Sequence, residues 1–371
     1  MRVVISAAGT GGHINPGIAI ANKIKEKDPK SEIIFIGTNR GLENDLVPRA
    51  GYILKTIEAY GIKKEFSFTN LKHMIQTYCS RKDVEEIFDE FKPDLVLGTG
   101  GYICGPVFHV AVKRKIPTVL HESNAFPGKA VKFYSKKVDK ILVGFEETKS
   151  KLEGAKEVVV TGTPTKIRKL DISKQKKKQL LEELGIKNEL PIVLIFGGSQ
   201  GAQRINEAVM ELIKDKKNTK YQIIWATGPK QYDIVKEDFE RNNIYMNNIK
   251  NVKILPYIYN MEEIMNISDL LVCRSGAMTI TEISIVGKPA IFVPLPSMSA
   301  NRQEDNALVL KKLGAAKIIL NSDMSGDRLS EEIDDIIYDE SELEEMGKIA
   351  NQIAPSNVEE KIYEEIIKLM K

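Results

Sequence analysis

The stretch VVISAAGTGGHINPGIAIANKI, residues 3–24, decides the fold. It reads as a buried strand, then a glycine-rich turn, then an amphipathic helix. The same succession returns in IVLIFGGSQGAQRINEAVMELI, residues 192–213. A second pair repeats as well: DLVLGTGGYICGPVF from Asp94 is mirrored by DLLVCRSGAMTITEI from Asp269, and a Pro-led strand follows each. Two similar units in tandem predict two Rossmann-like domains.

Outward from these segments, short apolar, β-branched runs alternate with helix-length segments. The predicted strands are Val3–Ala7, Ile33–Gly37, Leu95–Gly98, Thr118–Leu120, Ile141–Val143 and Val158–Val160 in the first half. Ile192–Phe196, Gln222–Ala226, Val252–Leu255, Leu270–Cys273, Ala290–Val293 and Lys317–Leu320 follow in the second. Continuous rather than alternating hydrophobic runs suit parallel strands covered on both faces, and strands separated by helices give an α/β doubly wound fold. The expected architecture is two Rossmann-like domains, 1–162 and 163–371, facing across a cleft, with the final helix packing back on the first. The break falls at TGTPTKIRKLDISKQKKKQ, residues 161–179. Its Lys176–Lys178 run reads as the solvated first turns of a helix capped by Ser173 and stopped by Gly185.

A chain of 371 residues is long for one core. With 42% hydrophobic and 28% charged residues it is composed like a folded globular protein. No run approaches the roughly 18 apolar residues of a membrane span, and MRVVISA leads directly into polar AGTGGH, unlike a secretory signal. A cytoplasmic protein is expected. Cys79, Cys104 and Cys273 are too few and scattered for a disulfide framework or a zinc site, and Cys104 and Cys273 read as buried hydrophobes. Residues 1–162 carry 25 Lys and Arg against 19 Asp and Glu, a balance of +6, whereas the remainder carries −3. A basic first half suits an anionic partner, phosphate-bearing or membranous. Without a dense basic stripe interleaved with aromatics, nucleic acid is not expected.

Four loops stand where open α/β sheets bind ligands, at the C-terminal ends of strands. Gly9–His13 lets backbone approach a ligand and aims a helix N-terminus at an anion. A dinucleotide fingerprint needs glycine where Ile14 stands. Gly197–Gly201 repeats the logic with Ser199, either a phosphate contact or a plain helix cap. Arg274–Thr279 opens a helix carrying Glu282, a carboxylate placed to accept ribose hydroxyls or to offset the helix dipole. The loop after Pro294 brings Asn301, Gln303, Glu304 and Asn306, donors and acceptors suited to sugar hydroxyls. No Asp-x-Asp triplet occurs. Neither a metal nor a cofactor is expected, so helix dipoles and amides would take the charge of a departing diphosphate.

In order, GTGGHINPG (9–17), GTGGYICGP (98–106), HESN (121–124), GGSQGA (197–202), CRSGAMTITE (273–282) and NRQEDNA (301–307) resemble the MurG family. These UDP-N-acetylglucosamine transferases act on undecaprenyl-diphospho-muramoyl-pentapeptide in peptidoglycan synthesis. The resemblance runs from residue 3 to about residue 320, and its motifs are specific as a set. It implies a GT-B fold with the UDP-sugar in the C-terminal domain and the lipid-linked acceptor mainly in the N-terminal one. It also implies inversion at the anomeric carbon. Carried over by position, Ser199, Ala277, Met278, Thr279, Glu282 and the Ile258 backbone hold UDP. Asn124, Gln303 and Asn306 hold the N-acetylglucosamine, while Thr10, Gly11 and Gly12 line the cleft. Two positions depart from the family: Lys166 stands for an arginine that contacts the nucleotide, and Ser123 for a glutamine.

His13 has three readings: orienting its loop, contacting the acceptor's diphosphate, or serving as the general base for the acceptor's 4-hydroxyl. An imidazole of pKa about 6.5 is mostly neutral in cytoplasm, which favours the base. Glu122 is the reserve base.

Leu71, Met74, Ile75 and Tyr78 recur at i, i+3, i+4 and i+7, flanked by Lys63, Lys64, Lys72, Arg81 and Lys82, with Lys113, Arg114 and Lys115 extending the basic set. The pattern fits a helix lying in an anionic interface or one facing a core. The implied lipid acceptor decides for docking at the cytoplasmic face of the membrane, as a peripheral protein. Three other functions share these features: transfer to another acceptor, epimerisation of a UDP-sugar, and non-catalytic UDP-sugar binding at a membrane.

Overall fold

The computed structural model describes the chain except residues 62–66, 187–189, 199–200, 216, 218–219, 247–248, 250 and 297–301, and except the side chain of residue 302. The chain forms two compact units. The first is Met1–Lys166 completed by Pro355–Lys371, the second Ile167–Ala354. The division thus falls after Lys166, where the sequence placed it after Gly162.

The strands of the first unit are β1 (Arg2–Ser6), β2 (Glu32–Gly37), β3 (Ile53–Thr56), β4 (Leu95–Gly98), β5 (Thr118–Glu122), β6 (Lys140–Val143) and β7 (Val158–Val160). Its helices are α1 (Gly11–Lys27), α2 (Glu43–Arg49), α3 (Phe68–Cys79), α4 (Arg81–Phe91), α5 (Cys104–Lys113), α6 (Lys129–Tyr134) and α7 (Glu146–Lys149), with α16 (Val358–Met370) arriving last. All pairings are parallel, in the order β3-β2-β1-β4-β5-β6-β7. Val3, Val4 and Ile5 of β1 are fully buried, as a central strand with helices on both faces requires.

The second unit holds β8 (Ile192–Phe196), β9 (Gln222–Ala226), β10 (Val252–Leu255), β11 (Leu270–Cys273), β12 (Ala290–Phe292) and β13 (Ala316–Ile318). Between and after them run α8 (Lys174–Leu184), α9 (Gln203–Lys214), α10 (Pro229–Arg241), α11 (Met261–Ile267), α12 (Ala277–Val286), α13 (Arg302–Leu313), α14 (Gly326–Ile337) and α15 (Glu340–Gln352). The parallel order is β10-β9-β8-β11-β12-β13, so the strand order reverses beside β8 as it does beside β1. Trp225 of β9 anchors this core, fully buried, its Nε1 donating to Asn206 Oδ1 at 3.0 Å. Ser173 caps α8 by accepting from the Lys176 amide, and Gly185 ends it at φ 71°.

Among the described residues, twelve of the thirteen strands coincide with predicted runs, shifted by at most two residues at an end; β3 was missed. Ile53 is exposed and Leu54 and Lys55 are only half-buried, so this edge strand carries no continuous apolar run. A second correction concerns Gln303, Glu304 and Asn306, expected in a loop. They lie in α13, whose first turn carries Glu304 and Asp305, favourable charges at a helix N-terminus. Cys104 and Cys273 are buried as expected, and burial pushes the Cys104 thiol up to about 11.

The return helix α16 is fixed to the first unit by charge as well as by Val358, Ile362 and Ile366. Lys140 of β6, only 3% exposed, donates to Glu365 Oε2 at 2.5 Å and lies 3.1 Å from Glu157. Lys23 and Lys27 of α1 meet Glu360 at 3.0 and 2.7 Å. Glu365→Leu removes the nearer partner of a buried ammonium and is expected to cost about 3 kcal/mol, read from the urea midpoint. Adding Lys140→Met is expected to restore most of that loss, since no buried charge then lacks a partner.

Candidate active site

In the first unit the β1 loop is held from beneath by Glu43, a residue the sequence did not single out. Its buried carboxylate accepts from the Gly9 amide at 2.9 Å, the Thr38 amide at 3.0 Å and the Thr38 hydroxyl at 2.7 Å. Thr10 is the N-cap of α1 with extended backbone and no side-chain bond to the helix, so Gly11, Gly12 and His13 form its first turn. The His13 ring is half-buried against the second glycine loop. A Cβ at Gly100 would stand 3.1 Å from its Cδ2, and one at Gly101 3.3 Å from its Nδ1. Both glycines have φ near +100° and +85°, where other residues are strained. The loop therefore gives the imidazole its space. Thr99 Oγ1 donates to the His13 carbonyl at 2.6 Å, and His13 Nδ1 lies 3.3 Å from the Ala8 carbonyl. A carbonyl accepts only, so a hydrogen bond there requires the ring proton on Nδ1.

Glu122 is committed to its own loop. Oε1 accepts from the amide and side chain of Asn124 at 2.9 and 2.8 Å, and Oε2 from the Gly128 amide at 2.6 Å. His121 is fully buried, its Nε2 3.0 Å from the Gly162 carbonyl, and burial lowers its pKa. Lys166 is exposed at the end of the unit.

In the second unit the loops after β8, β11, β12 and β13 enclose a cleft of about 690 Å³. Gly197, Gly198 and Gly201 form one wall, and the start of α12 forms another through Gly276 and Thr279. Gly201 is at φ 76°, and a Cβ there would meet the Thr227 carbonyl at 2.1 Å, so the loop can pass only as glycine. Ala277 and Met278 open α12 beside Thr279. The first amides of a helix have no intrahelical partner, so α9 and α12 bring their unpaired N–H groups and positive dipole ends to this cleft.

Gln303 lines the cleft and accepts from the Leu295 amide at 2.9 Å through Oε1. Its carbonyl accepts from Ser275 Oγ at 2.6 Å. Asn306 is buried and donates to the Ser275 carbonyl at 3.2 Å, which fixes the turn before α12. Asn306, the buried Ile258 and the half-buried Glu282 stand outside the lining. Ser199 and Asn301 fall outside the described residues. The sequence missed Arg204, Glu207 and Asn321, which line the cleft, although Arg204 directly follows a glycine loop and Asn321 follows a predicted strand. Among the described residues, no three His, Cys, Asp or Glu side chains group as a metal would require.

The helix predicted to dock is α3, capped by Ser67, whose Oγ accepts from the Asn70 amide. None of its residues is buried: Leu71 is 46%, Met74 44%, Ile75 56% and Tyr78 64% exposed. The alternative of a core-facing helix is thereby overturned. Arg81 stacks its guanidinium 4.1 Å from the Tyr78 ring, and Lys82 is exposed. His73 holds α3 down by stacking on Tyr60 at 3.9 Å, with Arg40 on that ring's other face. Lys63 and Lys64 lie outside the described residues. Among the described residues no helix is long and apolar enough to cross a membrane.

With this geometry in place, the glycosyltransferase family 28 N-terminal domain matches residues 3–143 and the family's C-terminal domain matches residues 192–362. The chain belongs to glycosyltransferase family 28. Within family 28 it is 43% identical to a protein of Acetivibrio thermocellus over 373 residues, 100% of this chain and 99% of that one. That relative is named UDP-N-acetylglucosamine--N-acetylmuramyl-(pentapeptide) pyrophosphoryl-undecaprenol N-acetylglucosamine transferase. The crystal structure of Acinetobacter baumannii MurG superposes with a TM-score of 0.76 at 27% identity, covering 99% of both chains. The fold is accordingly GT-B. UDP-GlcNAc 2-epimerase from Neisseria meningitidis superposes with a TM-score of 0.66 at 17% identity, covering 99% of this chain and 100% of that one, a likeness of fold alone.

Gly101→Ala would force a methyl group against His13 Nδ1 at a left-handed φ. It is expected to destabilise the chain by about 1–2 kcal/mol and to perturb the His13 ring resonances in NMR.

Proposed function

We propose that the chain is an inverting hexosyltransferase that moves N-acetylglucosamine from its UDP-sugar to the 4-hydroxyl of undecaprenyl-diphospho-muramoyl-pentapeptide, the lipid I to lipid II step of peptidoglycan synthesis. The observation that carries this reading is end-to-end identity of 43% to a relative of that name. The second unit takes the donor. The N-termini of α9 and α12 receive the diphosphate, with Ser199 contributing a hydroxyl. Glu282 and the Ile258 backbone serve the nucleoside, and Gln303 serves the sugar, while Asn306 supports it by holding Ser275.

The first unit takes the acceptor. As the 4-hydroxyl oxygen bonds to the anomeric carbon from the face opposite the leaving group, His13 Nε2 accepts its proton. The bond from the anomeric carbon to the diphosphate oxygen breaks, and UDP departs with the electron pair. Its charge meets amides and dipoles already oriented, which is the cheapest form of electrostatic stabilisation. His13 is preferred over Glu122 because both carboxylate oxygens of Glu122 hold its own loop. No metal or cofactor enters this reading.

Incubation with UDP-N-acetylglucosamine and a lipid-linked muramoyl-pentapeptide analogue is expected to release UDP and lengthen the glycan. UDP release without acceptor, or an epimerised sugar, would instead support the epimerase reading, with which the fold is also compatible. In the transfer assay His13→Ala is expected to lower kcat by about 10²–10⁴-fold; a loss of only a few-fold removes the base from His13.

The acceptor's lipid stays in its bilayer, so we assign α3 to the anionic cytoplasmic surface of the membrane, with Leu71, Met74, Ile75 and Tyr78 inserted and Arg81 and Lys82 at the headgroups. Arg81→Glu with Lys82→Glu is expected to weaken flotation with anionic vesicles while leaving neutral vesicles unaffected. Unchanged binding to anionic vesicles excludes this face.

A further inference from the structure

Among the described residues, two guanidiniums line the cleft of the second unit, and their situations differ. Arg274 belongs to the framework: its Nη1 donates to the Val293 and Pro294 carbonyls at 2.9 and 3.1 Å and to Asn321 Oδ1 at 2.8 Å. It ties together the segments that follow β12 and β13. Arg204 is the second residue of α9, on the turn that opens directly from the glycine loop. A cation there opposes the helix dipole, which favours negative charge at the N-terminus, and the first turn of α9 carries no acid. Its counter-charge comes from one turn later. Glu207 Oε2 lies 3.1 Å from Arg204 Nη1, and Glu207 Oε1 accepts from Gln203 at 2.9 Å. Both members of the pair line the cleft, and both are more than a third exposed, so the pair is open to exchange.

The geometry points to Arg204 as a further donor-binding residue, one that leaves Glu207 to pair with the diphosphate of the UDP-sugar; this rests on the transferase reading above. The α9 amides and Arg204 then act on the same anion from one turn of helix. Glu207 has two opposed effects: it holds the guanidinium at the cleft when the site is empty, and its own negative charge disfavours the incoming diphosphate. The two residues therefore have opposite signs in donor binding, which a purely structural ion pair would not give.

The test is calorimetric titration of the full chain with UDP, and with uridine as the phosphate-free probe. Arg204→Gln is expected to raise the Kd for UDP by about tenfold, the scale of a charge-assisted hydrogen bond, and to leave uridine within about twofold. Arg204→Lys is expected to recover part of the loss, because it restores charge without the planar fork. Glu207→Gln is expected to tighten UDP. The gap between wild type and Arg204→Gln is expected to narrow as salt rises. Equal weakening of UDP and uridine, an unchanged UDP affinity in Arg204→Gln, or weakening of UDP by Glu207→Gln each overturns the role of Arg204. A wild-type chain that binds no UDP fails differently, since it overturns the transferase reading on which this role rests.

Discussion

Unpaired backbone N–H groups at the first turns of α9 and α12 are the feature on which the second unit's cleft depends. A parallel sheet delivers every strand end to the same edge, and at the point where strand order reverses the flanking helices diverge to opposite faces. β8 and β11 are neighbours at that point, so the turns leaving Phe196 and Cys273 open on one crevice. Glycine is required because the loop passes within contact of the Thr227 carbonyl, where a side chain has no room. An anion placed there meets donors fixed by the fold, with little reorganisation as charge develops.

The first unit applies the same topology to a different end. Its two glycine loops also leave neighbouring strands at a switch point, β1 and β4. Here the second loop provides volume for an imidazole, and a buried carboxylate, Glu43, grips the first. An imidazole held between a carbonyl and two glycines is positioned by the backbone of two loops. By contrast α3 has no fully buried residue, and it is tied to the preceding segment by the His73–Tyr60 stack and by the hydrogen bonds of Thr77 to the Tyr60 amide and of Gln76 to Glu58. A contiguous exposed apolar face of that kind marks an interaction surface rather than part of a core.

The strands were legible because both faces of a parallel sheet are covered, which writes an uninterrupted apolar run into the sequence. β3 escaped because an edge strand needs no such run. The glycine loops were legible because left-handed backbone admits few other residues. The cleft's polar lining was not. Asn306 looks like a sugar ligand by residue type but is spent on the Ser275 carbonyl, and Glu122 looks like a base but is spent on three N–H donors. Residue type does not reveal which partner satisfies a polar group, whether that partner lies 31 residues away, as for Asn306, or is turned toward it within its own loop, as for Glu122.

By itself, the sequence determined the two parallel α/β repeats, the glycine-containing turns after β1, β8 and β11 and the helical period of the α3 face, since each depends on local periodicity or on glycine's backbone freedom. The tertiary structure alone decided that this face is exposed, that α16 is locked to Lys140 across more than two hundred residues of chain, and that Arg274 is held by the segments that follow β12 and β13. The reason is physical: burial and the partner of a charge are set by segments far apart in sequence, and only packing brings those segments together.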